Sequence, residues 1–130
     1  MTALDRQVGA STLTFNLPRA LIINANERIH WAPKAAKTRN LRAMARLAAL
    51  EDGTHLNRAH LTIEIGYPDN RRRDDHNLMP TMKALIDGAV DGGVLADDSR
   101  EYLTGPDLRG YKAGVPGITV IDMRFEPVPV

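Results

Sequence analysis

The sequence predicts an α+β fold: a small mixed β-sheet of about four strands with two helices packed on it, in the order β-α-β-α-β-β. Three observations lead there. Apolar residues fall at every second position in 12–17, 61–67 and 118–125, the period of a half-buried strand. Two longer segments, 33–50 and 78–90, carry the helical period. Gly, Pro and Asn gather between these segments, where turns belong. At 130 residues the length suits a single domain, 1–130.

The elements follow in order. Leu13, Phe15 and Leu17 mark one side of the first strand, 12–17, and Pro18 ends it. Residues 19–33 form a loop containing Asn24 and Asn26. The first helix, 33–50, is rich in Ala, Leu, Lys and Arg. Leu41, Met44, Leu47 and Ala48 share its apolar arc, with Arg39, Arg42 and Arg46 striped opposite. Glu51-Asp52-Gly53 stops it. In the second strand Leu61, Ile63, Ile65 and Tyr67 alternate with Thr62, Glu64 and Gly66, and Pro68-Asp69-Asn70 turns the chain.

The second helix, 78–90, turns Leu78, Met82, Leu85, Ile86 and Ala89 inward. Pro80 is tolerated in its first turn, and Gly92-Gly93 ends it. A short third strand is expected at 100–104 and a loop at 105–117. The last strand, 118–125, faces Ile121, Met123 and Phe125 inward. Trp31 is expected in the core; its other reading is a surface that stacks with His30 on a base.

Composition excludes several classes. The chain has no cysteine, which removes disulfides, thiolate zinc and thiol nucleophiles, and fits a cytoplasmic location. No apolar run approaches the roughly 20 residues of a membrane span. Residues 1–11 lack the apolar core of a signal peptide. Lys and Arg total 17 against 16 Asp and Glu, so net charge selects no partner. Charge distribution does more. Lys34, Lys37, Arg39, Arg42 and Arg46 form one basic group and Arg71, Arg72 and Arg73 another, while acids gather in Asp87, Asp91, Asp97, Asp98 and Glu101. Separate patches suit a polyanion on one and a cation on the other.

The chemistry concentrates in Arg71-Arg72-Arg73-Asp74-Asp75-His76-Asn77, after a strand, and in Asp97-Asp98, after a helix. Carboxylate and imidazole are ligand types for a catalytic divalent cation. Neighbouring arginines suit phosphate. Asp74 and Asp98 read either as solvated turn acids or as a pair sharing one Mg²⁺, since two carboxylates that meet without a cation repel. His76 is a surface imidazole, a ligand or a proton carrier. Asp75 should point away from Asp74 and His76 along an extended segment, and Asn77 should cap the second helix. Lys83 pairs with Asp87 one turn on, or aims at a scissile phosphate. The segment Asp91-Gly92-Gly93-Val94 lacks the end of a phosphate-cradling loop, and no Ser/His/Asp set stands out.

In Arg73-Asp74-Asp75-His76-Asn77-Leu78, Lys83-Ala84-Leu85-Ile86-Asp87, Gly93 and Asp97-Asp98, the chain resembles the RusA family of Holliday junction resolvases of bacteria and prophages. The loop from Leu21 to Trp31, with its two Asn, is similar to that family's early loop. The resemblance implies a homodimeric endonuclease of DNA recombination and repair that nicks four-way junctions with Mg²⁺ or Mn²⁺. It carries the acidic metal triad to Asp74, His76 and Asp98, with Asp97 adjacent, and the essential Lys to Lys83. Arg71, Arg72, Arg73, Arg39, Arg42 and Arg46 would then bind the DNA backbone. Two positions depart from the pattern. His76 stands where the family has Asp, and 77–83 is longer than its counterpart. The expected function is a metal-dependent, structure-selective endodeoxyribonuclease. The alternatives are a branched-DNA-binding protein that cuts weakly or not at all, and an interaction protein with an acidic surface.

Overall fold

Alternation along β1 (Ser11–Pro18) is complete: Ser11, Leu13, Phe15 and Leu17 are buried and the residues between them are exposed. The computed structural model describes residues 9–28, 30–71 and 73–129. A 3-10 turn, Arg19–Leu21, leads from β1 into a loop. Then come α1 (Trp31–Asp52), β2 (Ala59–Tyr67), a second 3-10 turn (Asp75–Leu78), α2 (Met79–Asp91), β3 (Leu103–Lys112) and β4 (Ile118–Pro127). The fold is α+β, a four-stranded mixed sheet in the order β1-β4-β2-β3 with two helices.

β4 runs antiparallel to both β1 and β2, and β3 runs parallel to β2. Register stacks apolar residues across three strands. Met123 faces Leu13 and Ile63, and Ile121 faces Phe15 and Ile65. A parallel neighbour needs a crossover, and α2 provides it between β2 and β3. The buried residues of β1, β2 and β4 lie on one side of the sheet, where α1 and α2 cover them. Leu61, Ile63 and Ile65 are fully buried, each contributing about 1.5–3 kcal/mol.

α1 and α2 approach closely because glycine and alanine meet between them. A Cβ on Gly88 would sit 2.2 Å from the Arg42 carbonyl and 2.7 Å from the Ala45 Cβ. One on Gly92 would sit 2.5 Å from the Ala49 Cβ. This contact corrects the expected apolar arc of α1. Its buried face is Leu41, Ala45 and Ala49, with Met44 and Ala48 partly covered, and Leu47 is exposed. Small residues at a four-residue spacing gave way to larger ones in the sequence reading, yet only they let the helices close. α2 buries Met82, Leu85, Ile86 and Ala89 as expected, and Leu78 is buried just before it.

Two further expectations change. α1 begins at Trp31, and Trp31 is 82 % exposed instead of lying in the core. The third strand spans Leu103–Lys112, through most of the expected 105–117 loop. Gly105 and Pro106 hid it. They sit where the pairing register with β2 shifts between His60 and Thr62, and β3 is an edge strand, where Pro is tolerated. Leu103 is its single buried residue, so no alternating pattern marks it.

Candidate functional site

The chain leaves the sheet at Tyr67 and folds back over it. Asp69 organises the turn. Its carboxylate accepts from the Arg71 backbone N–H at 3.0 Å and pairs with the Arg73 guanidinium at 2.8 Å and the Arg71 guanidinium at 3.2 Å. Those three contacts, Arg73 foremost, hold the Asp69 carboxyl well below the usual carboxylate range. The Arg73 guanidinium lies 4.7 Å above the Tyr67 ring, a cation–π contact. Arg73 is thus held from two sides, while Arg71 is largely in solvent.

Asp74 caps the 3-10 turn that follows, accepting from the His76 N–H at 3.0 Å. Asp75 does not dangle free of this segment. The Tyr67 hydroxyl donates to it at 2.5 Å, and Gly110 leaves room for it, since a Cβ there would lie 2.6 Å from its carboxylate. Burial, then the bond to Asp75, push the Tyr67 hydroxyl well above its ordinary value. Asn77 does not cap α2. Leu78 occupies that position, and the Asn77 carbonyl accepts from the Ala25 N–H at 2.8 Å.

That bond ties the 22–28 loop to the turn. A buried pincer completes the tie: Thr81 Oγ1 accepts from the Ile23 N–H and donates to the Ile23 carbonyl, both at 2.8 Å. Between loop and turn lies a cleft of about 820 Å³. Arg19, Arg71 and Arg73 line it together with Glu27, Asp74, Asp75 and His76. Glu27 is a site residue that the sequence reading missed. Its one signal was its place in the Asn-containing loop. Asp74 and His76 are exposed at this cleft.

Lys83 stands apart from the cleft lining. Its ammonium donates to Asp98 and lies 3.0 Å from Asp87. Asp98 foremost, then Asp87, raise Lys83 above its ordinary value, and Lys83 in turn lowers Asp98. The expected Lys83–Asp87 pair is therefore present and has a third member. Asp97 is exposed beside it. Asp98 does not line the cleft that holds Asp74 and His76.

The basic stripe of α1 has one member engaged within the fold. Arg42 donates to both oxygens of Asp91, at 2.5 and 3.0 Å, and clamps α1 to α2. Arg39 and Arg46 are exposed, and none of the three lines the cleft. The Arg42 and Arg46 backbones flank the contact with α2, against Gly88 and Gly92. Arg72 lies outside the described residues.

In donor type, Asp74, His76, Asp97 and Asp98 fit a divalent cation, which takes carboxylate oxygen and imidazole nitrogen. In position, Asp98 is engaged by Lys83, and one Asp74 oxygen by the His76 N–H. Among the described residues, no three His, Asp or Glu side chains form a metal-ligating group. No described helix is long and apolar enough to cross a membrane.

No protein-family model matches this chain, and no curated protein matches it.

Proposed function

We propose that this chain is a RusA-like, structure-selective endodeoxyribonuclease that acts on four-way DNA junctions as a homodimer. The observation that carries the reading is the cleft. Three guanidiniums, Arg19, Arg71 and Arg73, line it beside Asp74 and His76, bringing together phosphate-binding and cation-binding side-chain types. The meeting of Lys83 with Asp98, distant in sequence, adds support, because both belong to the motif that the resemblance rests on. Asp74 and His76 at the cleft would hold Mg²⁺ or Mn²⁺, and Asp98 with Asp97 would join them only after Asp98 leaves its bond to Lys83. When bound, such a cation polarises a phosphoryl oxygen and activates water. Arg71 and Arg19 hold the backbone phosphates in register. Lys83 keeps Asp98 ionised and holds positive charge close to it.

A two-fold junction cut on both strands needs two identical sites, so the acting species is a C2 dimer. Light scattering at micromolar protein is expected to report about twice the chain mass. The direct test incubates a synthetic four-way junction and its linear arms with the protein, with Mg²⁺ or Mn²⁺ or EDTA. Nicks confined to the junction, and only with cation, support the reading.

One observation favours a second reading, a branched-DNA-binding protein that cuts weakly or not at all. Lys83 already neutralises Asp98, and His76 brings no negative charge. Retarded junction DNA without nicks under either cation would select it.

A further inference from the structure

The chain carries one tryptophan, and it is the most exposed of the large apolar side chains among the described residues. Tryptophan is usually well buried on average, so an indole left 82 % in solvent needs a reason. Trp31 opens α1, four residues beyond Glu27, which lines the cleft. Four residues of chain span at most about 14 Å, so Trp31 stays within that reach of Glu27 while not itself lining the cleft. Its setting is held firm. The Lys37 ammonium donates to the Ile22 carbonyl at 3.0 Å, and the Lys34 N–H to the His30 carbonyl at 3.2 Å, tying the start of α1 to the loop.

The neighbouring charges are mostly basic. Arg28 and Lys34 are exposed close to Trp31 in sequence, Glu27 is the nearest acid before it, and no Asp or Glu occurs from Arg28 to Leu50. Leu47 and Leu50, the other exposed apolar residues of α1, lie near the opposite end of the helix. Among the described residues, no other large apolar side chain near the start of α1 is exposed, and Arg28 and Lys34 flank Trp31 in sequence. An aromatic plane between cations is the arrangement that holds single-stranded nucleic acid: the bases stack and the phosphates pair.

We propose that Trp31 stacks on an unpaired nucleobase of branched DNA, with Arg28 and Lys34 on the flanking phosphates. This inference rests on DNA being the substrate. It adds a reason for structure selectivity: a stacked duplex offers no free base face, whereas a junction centre or a frayed arm does.

Excited beyond tyrosine absorption, the emission of the full chain reports on Trp31 alone, which makes the test direct. A labelled oligo-dT, a labelled blunt duplex of equal length and a labelled four-way junction are titrated at low salt, with anisotropy and tryptophan emission followed together. The expected result is quenching by oligo-dT and by the junction, and little by the duplex. Trp31→Ala should weaken oligo-dT and junction binding about 5- to 150-fold. Trp31→Phe should keep most of the affinity. The salt dependence of binding should be unchanged in Trp31→Ala, because no charge is removed. Circular dichroism checks that both variants fold. Binding by anisotropy without quenching, or equal affinity of wild type and Trp31→Ala, overturns the stacking and leaves the nuclease reading standing. Binding of none of the three DNAs overturns both. Quenching with no nick in the junction keeps the stacking and removes the nuclease. A shift of emission with protein concentration alone, before DNA is added, assigns Trp31 to contact with a second copy and overturns the proposal.

Discussion

Lys83 and Asp98 are hydrogen-bonded across the turn that follows α2, joining the helix to the loop that carries the second acidic pair. The bond lowers the Asp98 carboxyl and raises the Lys83 ammonium. A carboxyl lowered in the folded state contributes stability at neutral pH that is lost as pH falls through its folded value. A raised lysine contributes stability that is lost only as pH rises past its ordinary value. The pair therefore stabilises the fold across the neutral range and weakens toward acid.

That relationship has a measurable consequence. In urea melts between about pH 7 and pH 2, wild-type stability should fall along an acid limb. Asp69 and Asp91 share in it, since their arginine partners lower them too. Lys83→Met should make the limb shallower without removing it. An identical limb in the variant would mean that the bond does not persist in solution.

Tyr67 and Asp75 hold the 71–78 segment on the sheet. Tyr67→Phe removes the hydrogen bond to a partly buried carboxylate and should cost about 1.5–3 kcal/mol. Gly110→Ala should also destabilise, because its methyl would meet the Asp75 carboxylate. Thermal melts of both variants check this, and unchanged midpoints would show that Asp75 is not anchored there.

Gly88 sets the closeness of the two helices. Gly88→Ala drives a methyl to within 2.2 Å of the Arg42 backbone carbonyl, which cannot move aside as a side chain can. Stability should fall by about 1–3 kcal/mol or more, although Ala is the better helix former. An increase in the urea midpoint would contradict this packing.

Much of the fold was legible because it rests on local periods. Leu13, Phe15 and Leu17, and Leu61, Ile63 and Ile65, alternate as they face the core, and the inward set of α2 repeats at helical spacing. What escaped depends on partners. β3 is held by β2 as an edge and has almost no buried residue of its own. The buried face of α1 is chosen by Gly88 and Gly92 on another helix, which no pattern within 33–50 reveals. The site divides in the same way. Asp74 and His76 share a cleft, as their one-residue separation allows. Glu27 joins them only through the Ala25–Asn77 and Ile23–Thr81 bonds, and Asp98 is drawn to Lys83, which are tertiary facts.

The arginines of the cleft are separable by charge. Arg71 is largely in solvent, whereas Arg73 is shared with Asp69 and the Tyr67 ring. Arg71→Ala should therefore lower the slope of log affinity against log salt by about 0.9. Arg73→Ala should affect the thermal midpoint more than the slope. Equal slopes in wild type and Arg71→Ala would place the DNA elsewhere.

The most direct test of the proposed nuclease is the nicking of a synthetic four-way junction by wild type, Asp74→Asn and Asp98→Asn, with binding measured in parallel. The expected result is paired nicks by wild type in Mg²⁺ or Mn²⁺, none by either variant, and junction binding equal or tighter in both, since Asp74→Asn removes a carboxylate from the cleft and Asp98→Asn frees the Lys83 charge. Nicking by either variant at the wild-type rate would contradict the assignment of the site. Absence of nicks by wild type under both cations would contradict the enzyme itself.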